Sequence, residues 1–351
     1  MVSSMGRRAR LSSTVLAAAI LTAALSATAL PALAADLPGS GKTIRFVQDD
    51  SLGGNYVEDQ ILVTAFKKLG YDVNVTVMNG TLFFQAASQG DVDMSSAVTL
   101  PQREPGYRKV EKELAVVGTG GIRGGGINGY LIDKKTADAN AITHFDQLKD
   151  PKIAALFGTD GKAELTGCDP GWSCADVIEH QVKAFGLSDT VHIVRGKYEA
   201  LMGETVARVQ RGEPALYYTW SPSWVNDALV PGKDVVWLPT PFDSLPEGMP
   251  PIKTALVPGV VGCAGGQDPC RMALGEWNYN TVVNRSFLAA NPAVKTLIEA
   301  ASWPRETWVA WEGSINKDGS SNRNIKKLAD DWIAANQAEF DGWVAQAMAG
   351  Q

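Results

Sequence analysis

Residues 43–98, TIRFVQDDSLGGNYVEDQILVTAFKKLGYDVNVTVMNGTLFFQAASQGDVDMSSAV, decide the fold. Thr43 to Gln48 reads as a strand, and the helix after it sets Ile61, Leu62, Ala65, Phe66 and Leu69 on one face before Gly70 ends it. YDVNVTV alternates as a half-buried strand does, a short helix spans Leu82 to Gln89, Gly90 stops it, and DVDMSSAV returns as a strand. This β-α-β-α-β succession predicts an α/β protein with a doubly wound, mainly parallel sheet. Ligand sites are then expected beyond the carboxyl ends of its strands.

Upstream, Arg7, Arg8 and Arg10 precede an apolar run from Val15 to Leu30 that closes on Ala32-Leu33-Ala34. Residues 1–34 therefore read as a cleaved signal peptide. A retained anchor would want a basic stop-transfer flank, and none follows. Arg7-Arg8 leaves the export route open between the general and twin-arginine systems. No cysteine stands at the cleavage point to take a lipid, so a periplasmic location is expected. The leader carries three arginines and no acid, so the remaining 317 residues hold 29 basic and 38 acidic side chains, a net charge of −9. That balance excludes nucleic acid and anionic lipid as partners.

A chain of this length suits two lobes better than one core. Downstream, GTGGIRGGGINGYLID holds seven glycines in Gly118–Gly129 ahead of a strand at Tyr130–Ile132. It is not a dinucleotide loop: Arg123 occupies the place of the third glycine, and a strand follows where a helix is required. A crossover between lobes fits it, ALYYTW and DVVWLPT supply further strands, and NYNTVVN (Asn278–Asn284) carries the chain back. The expected division is a discontinuous first lobe, 35–126 with 284–351, and a second lobe, 127–283, hinged as a clamp. The far end is helical, one helix starting at Asn291 with Pro292 in its first position and IKKLADDWIAANQAEFDGWVAQAMA closing the chain.

Within the second lobe, GCDPGWSC encloses Trp172 between Cys168 and Cys174, and CAGGQDPC holds Cys263 and Cys270. Four cysteines allow three connectivities, of which chain closure favours the two short rings. Zinc would want shorter Cys-x-x-Cys spacings. A thiol nucleophile would want a base, and only His144, His180 and His192 are on offer. If Ser173 caps the helix CADVIEHQVKAFG, the amides of its first turn point back toward Trp172 and attract a carboxylate. YYTWSPSW repeats the theme. Tyr217, Tyr218 and Trp220 leave a strand end, with Ser221 placed to cap a helix and Pro222 to start it. Two tryptophans can hold a quaternary ammonium by cation–π attraction worth about 2 kcal/mol each when dehydrated. An aromatic face beside a helix amino terminus makes the two halves of a zwitterion site. The remaining tryptophans, Trp224, Trp237, Trp277, Trp303, Trp308, Trp311, Trp332 and Trp343, read as packing residues.

KLGY, GYLIDKKTAD, QLKDPKIAALF, DGKAELTGCDPGWSC, YYTWSPSW, PGKDVVWL and FDGWV together resemble the ProX-type glycine betaine/proline betaine-binding proteins, the periplasmic components of ProU-type ABC uptake systems for osmoprotectants. The resemblance implies a two-lobed type II binding protein, monomeric and without cofactor, with its ligand in the cleft between the lobes and a membrane permease and cytoplasmic ATPase as partners. It implies a box of three tryptophans around the trimethylammonium, with Trp172 and Trp220 as two walls and the amides of Ser173 and Cys174 on the carboxylate. The third wall departs from the pattern: Thr99 stands where the tryptophan is expected and Arg103 where a carboxylate-binding histidine is expected. Arg103 can still grip a carboxylate, whereas Thr99 offers no π-face unless Phe83, Phe84 or Tyr107 supplies one. Two ligand classes follow, a betaine or a larger or more acidic amine held by Arg103. Catalysis is not expected, because no nucleophile and base fall together.

Overall fold

A computed structural model of the chain describes residues 37–249 and 255–350, and the expected signal peptide lies outside the described residues. The opening reads as expected: β1 Thr43–Asp49, α1 Asn55–Lys68, β2 Asp72–Met78, α2 Gly80–Gln89 and β3 Met94–Leu100, then α3 Glu104–Arg108 and β4 Leu114–Val117. The chain crosses over through β5 Ile122–Arg123 into β6 Gly126–Asp133, with Gly124 and Gly125 both at positive φ between them. Next come α4 Lys134–Asn140, α5 Pro151–Ala154, β7 Ala163–Thr166, α6 Ser173–Ala184, β8 Val191–Val194, α7 Tyr198–Gln210, β9 Leu216–Ser221, α8 Trp224–Ala228 and β10 Val235–Leu238. After β11 Leu256–Val257 and β12 Cys270–Arg271, the long strand β13 Leu274–Asn284 leads back to α9 Arg285–Ala290, α10 Pro292–Ala300, β14 Trp303–Pro304, α11 Arg305–Asp318, α12 Asn322–Ala335 and α13 Gln337–Ala349.

The main sheet runs β2-β1-β3-β13-β6-β9-β7-β8. It is parallel in its outer trios, β2-β1-β3 and β9-β7-β8, and antiparallel at the joints β3-β13, β13-β6 and β6-β9. In each trio the strand earliest in sequence lies in the middle, so the winding reverses beside β1 and again beside β7. Those two reversals are where a doubly wound sheet opens a crevice at its strand ends. β13 belongs to both ends of the sheet, pairing with β6 at Leu274 and Trp277 and with β3 and β4 further along.

Each trio is covered on both faces. Ile44 and Phe46 of β1 face the cluster holding Ile61, Phe66 and Trp308, whereas Val47 points the other way, toward Phe83 and Phe84. Around β6 and β9 the same alternation sends Tyr130 and Tyr218 into one core and Leu131 and Tyr217 into another. Trp303, Trp308, Trp311, Trp332 and Trp343 pack in one cluster among the terminal helices, edge-to-face except for the stacked pair Trp332–Trp343. The closing helix is two helices. Asn336 leaves helical geometry at φ −124° and bonds the carbonyl of Trp332 through its side chain, so the chain turns there.

The cysteines pair in two short rings, Cys168 with Cys174 and Cys263 with Cys270. Closing so few residues removes little denatured-chain entropy. Replacing Cys263 and Cys270 together by serine is therefore expected to lower the unfolding free energy by only about 2–3 kcal/mol, read by urea denaturation of the oxidised protein. A loss beyond about 5 kcal/mol would contradict the entropic account.

Candidate functional site

Both reversals open on one cleft. Beyond β1 and β3 it is lined by Ser51, Thr99, Gln102 and Arg103, and beyond β7 and β9 by Trp172, Ser173, Cys174, Tyr218 and Trp220. The crossing strands contribute Asn128 from β6 and Trp277 and Tyr279 from β13. All six residues singled out from sequence, Trp172, Trp220, Ser173, Cys174, Thr99 and Arg103, therefore line the same cleft. Phe83 and Phe84 do not. They pack beneath α2 against Val98, with Tyr107 beside Phe84 at 6.5 Å, because the helix turns its apolar face to the sheet. His144 and His180 also lie elsewhere, engaged with Thr143 and Ser244.

The apolar side is built on Tyr198. Its buried ring stacks on Trp220 at 4.8 Å and 25°, and its hydroxyl donates to Thr219 at 2.8 Å. One face of Trp220 is thus occupied and the other is what the ring can offer a ligand. Trp172 meets Trp220 at 6.1 Å and 63°, so the two indoles form a corner. A corner presents two π-faces to one cation, whereas a parallel stack would present none between its rings.

Beside that corner lies the amino terminus of α6. Trp172, not Ser173, is the N-cap, with extended backbone (φ −79°, ψ 143°) and no capping side chain, and Ser173 is the first helical residue. The expected serine cap is corrected for a simple reason. Ser173 already has helical backbone, so Trp172 takes the cap position and its side chain offers no oxygen to the first-turn amides. The second expected cap shifts as well. Ser221 remains in β9, paired with Ile127, and Ser223 caps α8 by accepting from the Val225 amide at 3.2 Å. The Asn226 side-chain amide then donates back to the Trp220 carbonyl at 2.8 Å, which ties the wall residue to the helix it precedes.

Arg103 is mostly buried and already ion-paired, its guanidinium 3.4 Å from Asp49, whose carboxylate also holds the Ser51 amide and hydroxyl. The charge that a more acidic ligand would need is thereby answered within the protein. Among the described residues, four buried polar atoms of cleft-lining side chains have no hydrogen-bond partner: Gln102 Oε1, Arg103 Nε, Asn128 Oδ1 and Trp277 Nε1. Buried polar groups are normally paired. All four line the cleft, where a polar guest could satisfy them. Sequence reasoning missed Ser51, Gln102, Asn128, Tyr218, Trp277 and Tyr279. Only the strand-end position of Tyr218, next to Trp220, gave a local signal.

Among the described residues no helix is long and apolar enough to cross a membrane, and no cluster of side chains could hold a metal ion. Two doubly wound halves that share a crossing strand and meet over a cleft define a two-lobed solute-binding protein. Residues 42–335 match the family described as the substrate binding domain of the ABC-type glycine betaine transport system, and the chain belongs to that family. It is 38% identical over 323 residues to a glycine betaine/proline betaine-binding periplasmic protein of Salmonella typhimurium, spanning 91% of this chain and 94% of that one. It is also 38% identical over 317 residues to the glycine betaine-binding periplasmic protein OusX of Dickeya dadantii, spanning 90% and 92%. The fold is shared with the glycine betaine/L-proline-binding protein ProX of Borrelia burgdorferi at a TM-score of 0.66 and 15% identity, spanning 87% of this chain and all of that one. Membership places the chain among transport proteins and not among enzymes.

Proposed function

We propose that this protein is the extracytoplasmic receptor of an ABC importer for a quaternary ammonium osmoprotectant of the glycine betaine/proline betaine class. The observation that carries the reading is the corner of Trp172 and Trp220 set beside the uncapped amino terminus of α6 in one cleft. The corner takes the trimethylammonium, the amides of Ser173 and Cys174 take the carboxylate, and the orphaned Arg103 Nε lines the same cleft. Residues 35–126 with 284–351 and residues 127–283 act as the two jaws, with β13 as the strap they share. Export by the leader, cleavage after Ala34 and a periplasmic, monomeric working state follow the same reading. The relatives from Salmonella typhimurium and Dickeya dadantii are named periplasmic. The loaded, closed form delivers its solute to a permease with a cytoplasmic ATPase.

The test is calorimetric titration of the oxidised mature chain with glycine betaine, proline betaine, choline, carnitine and proline. Glycine betaine and proline betaine are expected to bind with Kd of about 1–10 μM, the sum of two ring contacts and one carboxylate contact. Choline, which lacks the carboxylate, is expected to bind at least about tenfold more weakly. A folded protein silent toward every betaine would end this reading, and a clear preference for carnitine would transfer it to a larger ligand.

A further inference from the structure

We infer that the aromatic wall absent at Thr99 is supplied from the crossing strand, by Trp277 with Tyr279, so that the third side of the ammonium cage belongs to the hinge and not to either jaw. The inference rests on the betaine reading above. Thr99 lies directly opposite Tyr279 in the β3–β13 ladder, and the register is regular from Asn278 to Asn280. Directly opposed residues place their side chains on the same face of a sheet, and Trp277, two positions along from Tyr279, shares that face. A threonine at 99 leaves the space above it to the bulky partner across the ladder. The three side chains all line the cleft that holds Trp172 and Trp220.

The wall is braced from behind. Trp277 meets Tyr279 edge-on at 5.0 Å and 88°, and Tyr279 stacks on the buried Trp308 of α11 at 5.3 Å and 27°. On its other side the Trp277 indole lies against Gly126, its partner in the β13–β6 ladder, where any Cβ would strike the ring. Burial, reinforced by the neighbouring Glu312 and Asp49 carboxylates, keeps the Tyr279 phenol neutral far above the usual range. A neutral phenol presents its ring to a cation as tryptophan does. β13 bonds to β3 and β6 at once, so this wall stands in place before the jaws close and offers the cation its first contact.

Three variants decide the matter, with Trp172→Ala as control, each titrated with glycine betaine after its fold is checked by circular dichroism and thermal melting. Trp277→Leu is expected to weaken binding by about ten- to thirtyfold, and Trp277→Phe, which restores a π-face, by no more than about threefold. Thr99→Trp is expected to weaken binding or leave it unchanged, because the new indole meets Tyr279 across the ladder. If the third side of the cage were open, the same substitution would tighten binding about tenfold, and that result overturns the inference. So does unchanged affinity in a folded Trp277→Leu protein that Trp172→Ala silences. If Trp277→Leu does not fold, Thr99→Trp decides alone. A wild-type chain that binds no betaine defeats the functional reading instead, which keeps the two failures apart.

Discussion

Trp220→Ala is expected to lower the affinity for glycine betaine by about a hundredfold or more, while the protein stays folded. The direct loss is one dehydrated cation–π contact, about 2 kcal/mol or roughly thirtyfold. The rest is geometric. Trp172 leans on Trp220 at 6.1 Å, and both lean on Tyr198, so deleting the middle ring frees Trp172 to collapse onto the Tyr198 face that Trp220 had covered. Trp220→Phe keeps a smaller π-face on the same stack and is expected to cost about tenfold. Both Trp220 and Trp172 are only partly buried, so each single substitution is expected to leave the chain folded. Calorimetry with a parallel melting curve measures affinity and folding separately. Binding by Trp220→Ala within threefold of the wild type would show that the ammonium sits elsewhere.

How far the site was legible in sequence follows from how local its parts are. The opening helix-and-strand alternation is written in single elements with clear periods, and β1 to β3 fall where residues 43–98 placed them. Trp172, Ser173 and Cys174 share one seven-residue ring with Cys168, and Trp220 lies near the end of a strand, so neighbouring residues announce both. Trp277 and Tyr279 carry no such mark. They alternate along a long strand like any packing residues, and they reach the cleft only through pairing with a strand about 180 residues away. The N-cap errors are of the same kind: Ser221 and Ser223 are equally good caps in sequence, and the β6–β9 ladder, a long-range contact, keeps Ser221 extended. Pairing register is set by the whole sheet and is not encoded in any local stretch. In WPRETWVAWEG the tryptophans read as packing residues, and no local mark shows that Glu312 beside them is buried as well.

That buried glutamate supports the second large expectation: the protein should become more stable as the pH falls from 8 to 5, and Glu312→Gln should remove part of the gain. Glu312 lies on α11. One carboxylate oxygen accepts from the Gly54 amide at 2.6 Å, where α1 starts, and the other from the Trp224 amide at 3.1 Å, where α8 starts beyond Trp220. It therefore clasps two helix amino termini from opposite ends of the sheet. Burial, only partly opposed by these two amide bonds, pushes its carboxyl up to about 7, and burial does the same to Asp59, which accepts from Gln48 and Ser96. Between the unfolded carboxyl values near 4 and 7, the folded chain holds protons that the unfolded chain has released. Stability is then fully present on the acid side and falls as the pH rises through that window, by up to about 1.4 kcal/mol per pH unit for each group. Glu312→Gln removes one group from the slope but points an amide N–H at a backbone N–H, so its baseline is expected to drop by about 1–3 kcal/mol. Glu312→Ala abandons both amides and should cost more, and it should loosen α8 and with it the anchor that Asn226 provides for Trp220. Urea unfolding at pH 5, 6, 7 and 8 on the wild type, Glu312→Gln and Asp59→Asn reads all of this. A wild type equally stable or more stable at pH 8 would mean that the two carboxyls titrate normally and that the clasp between α1 and α8 is carried by an ordinary charge.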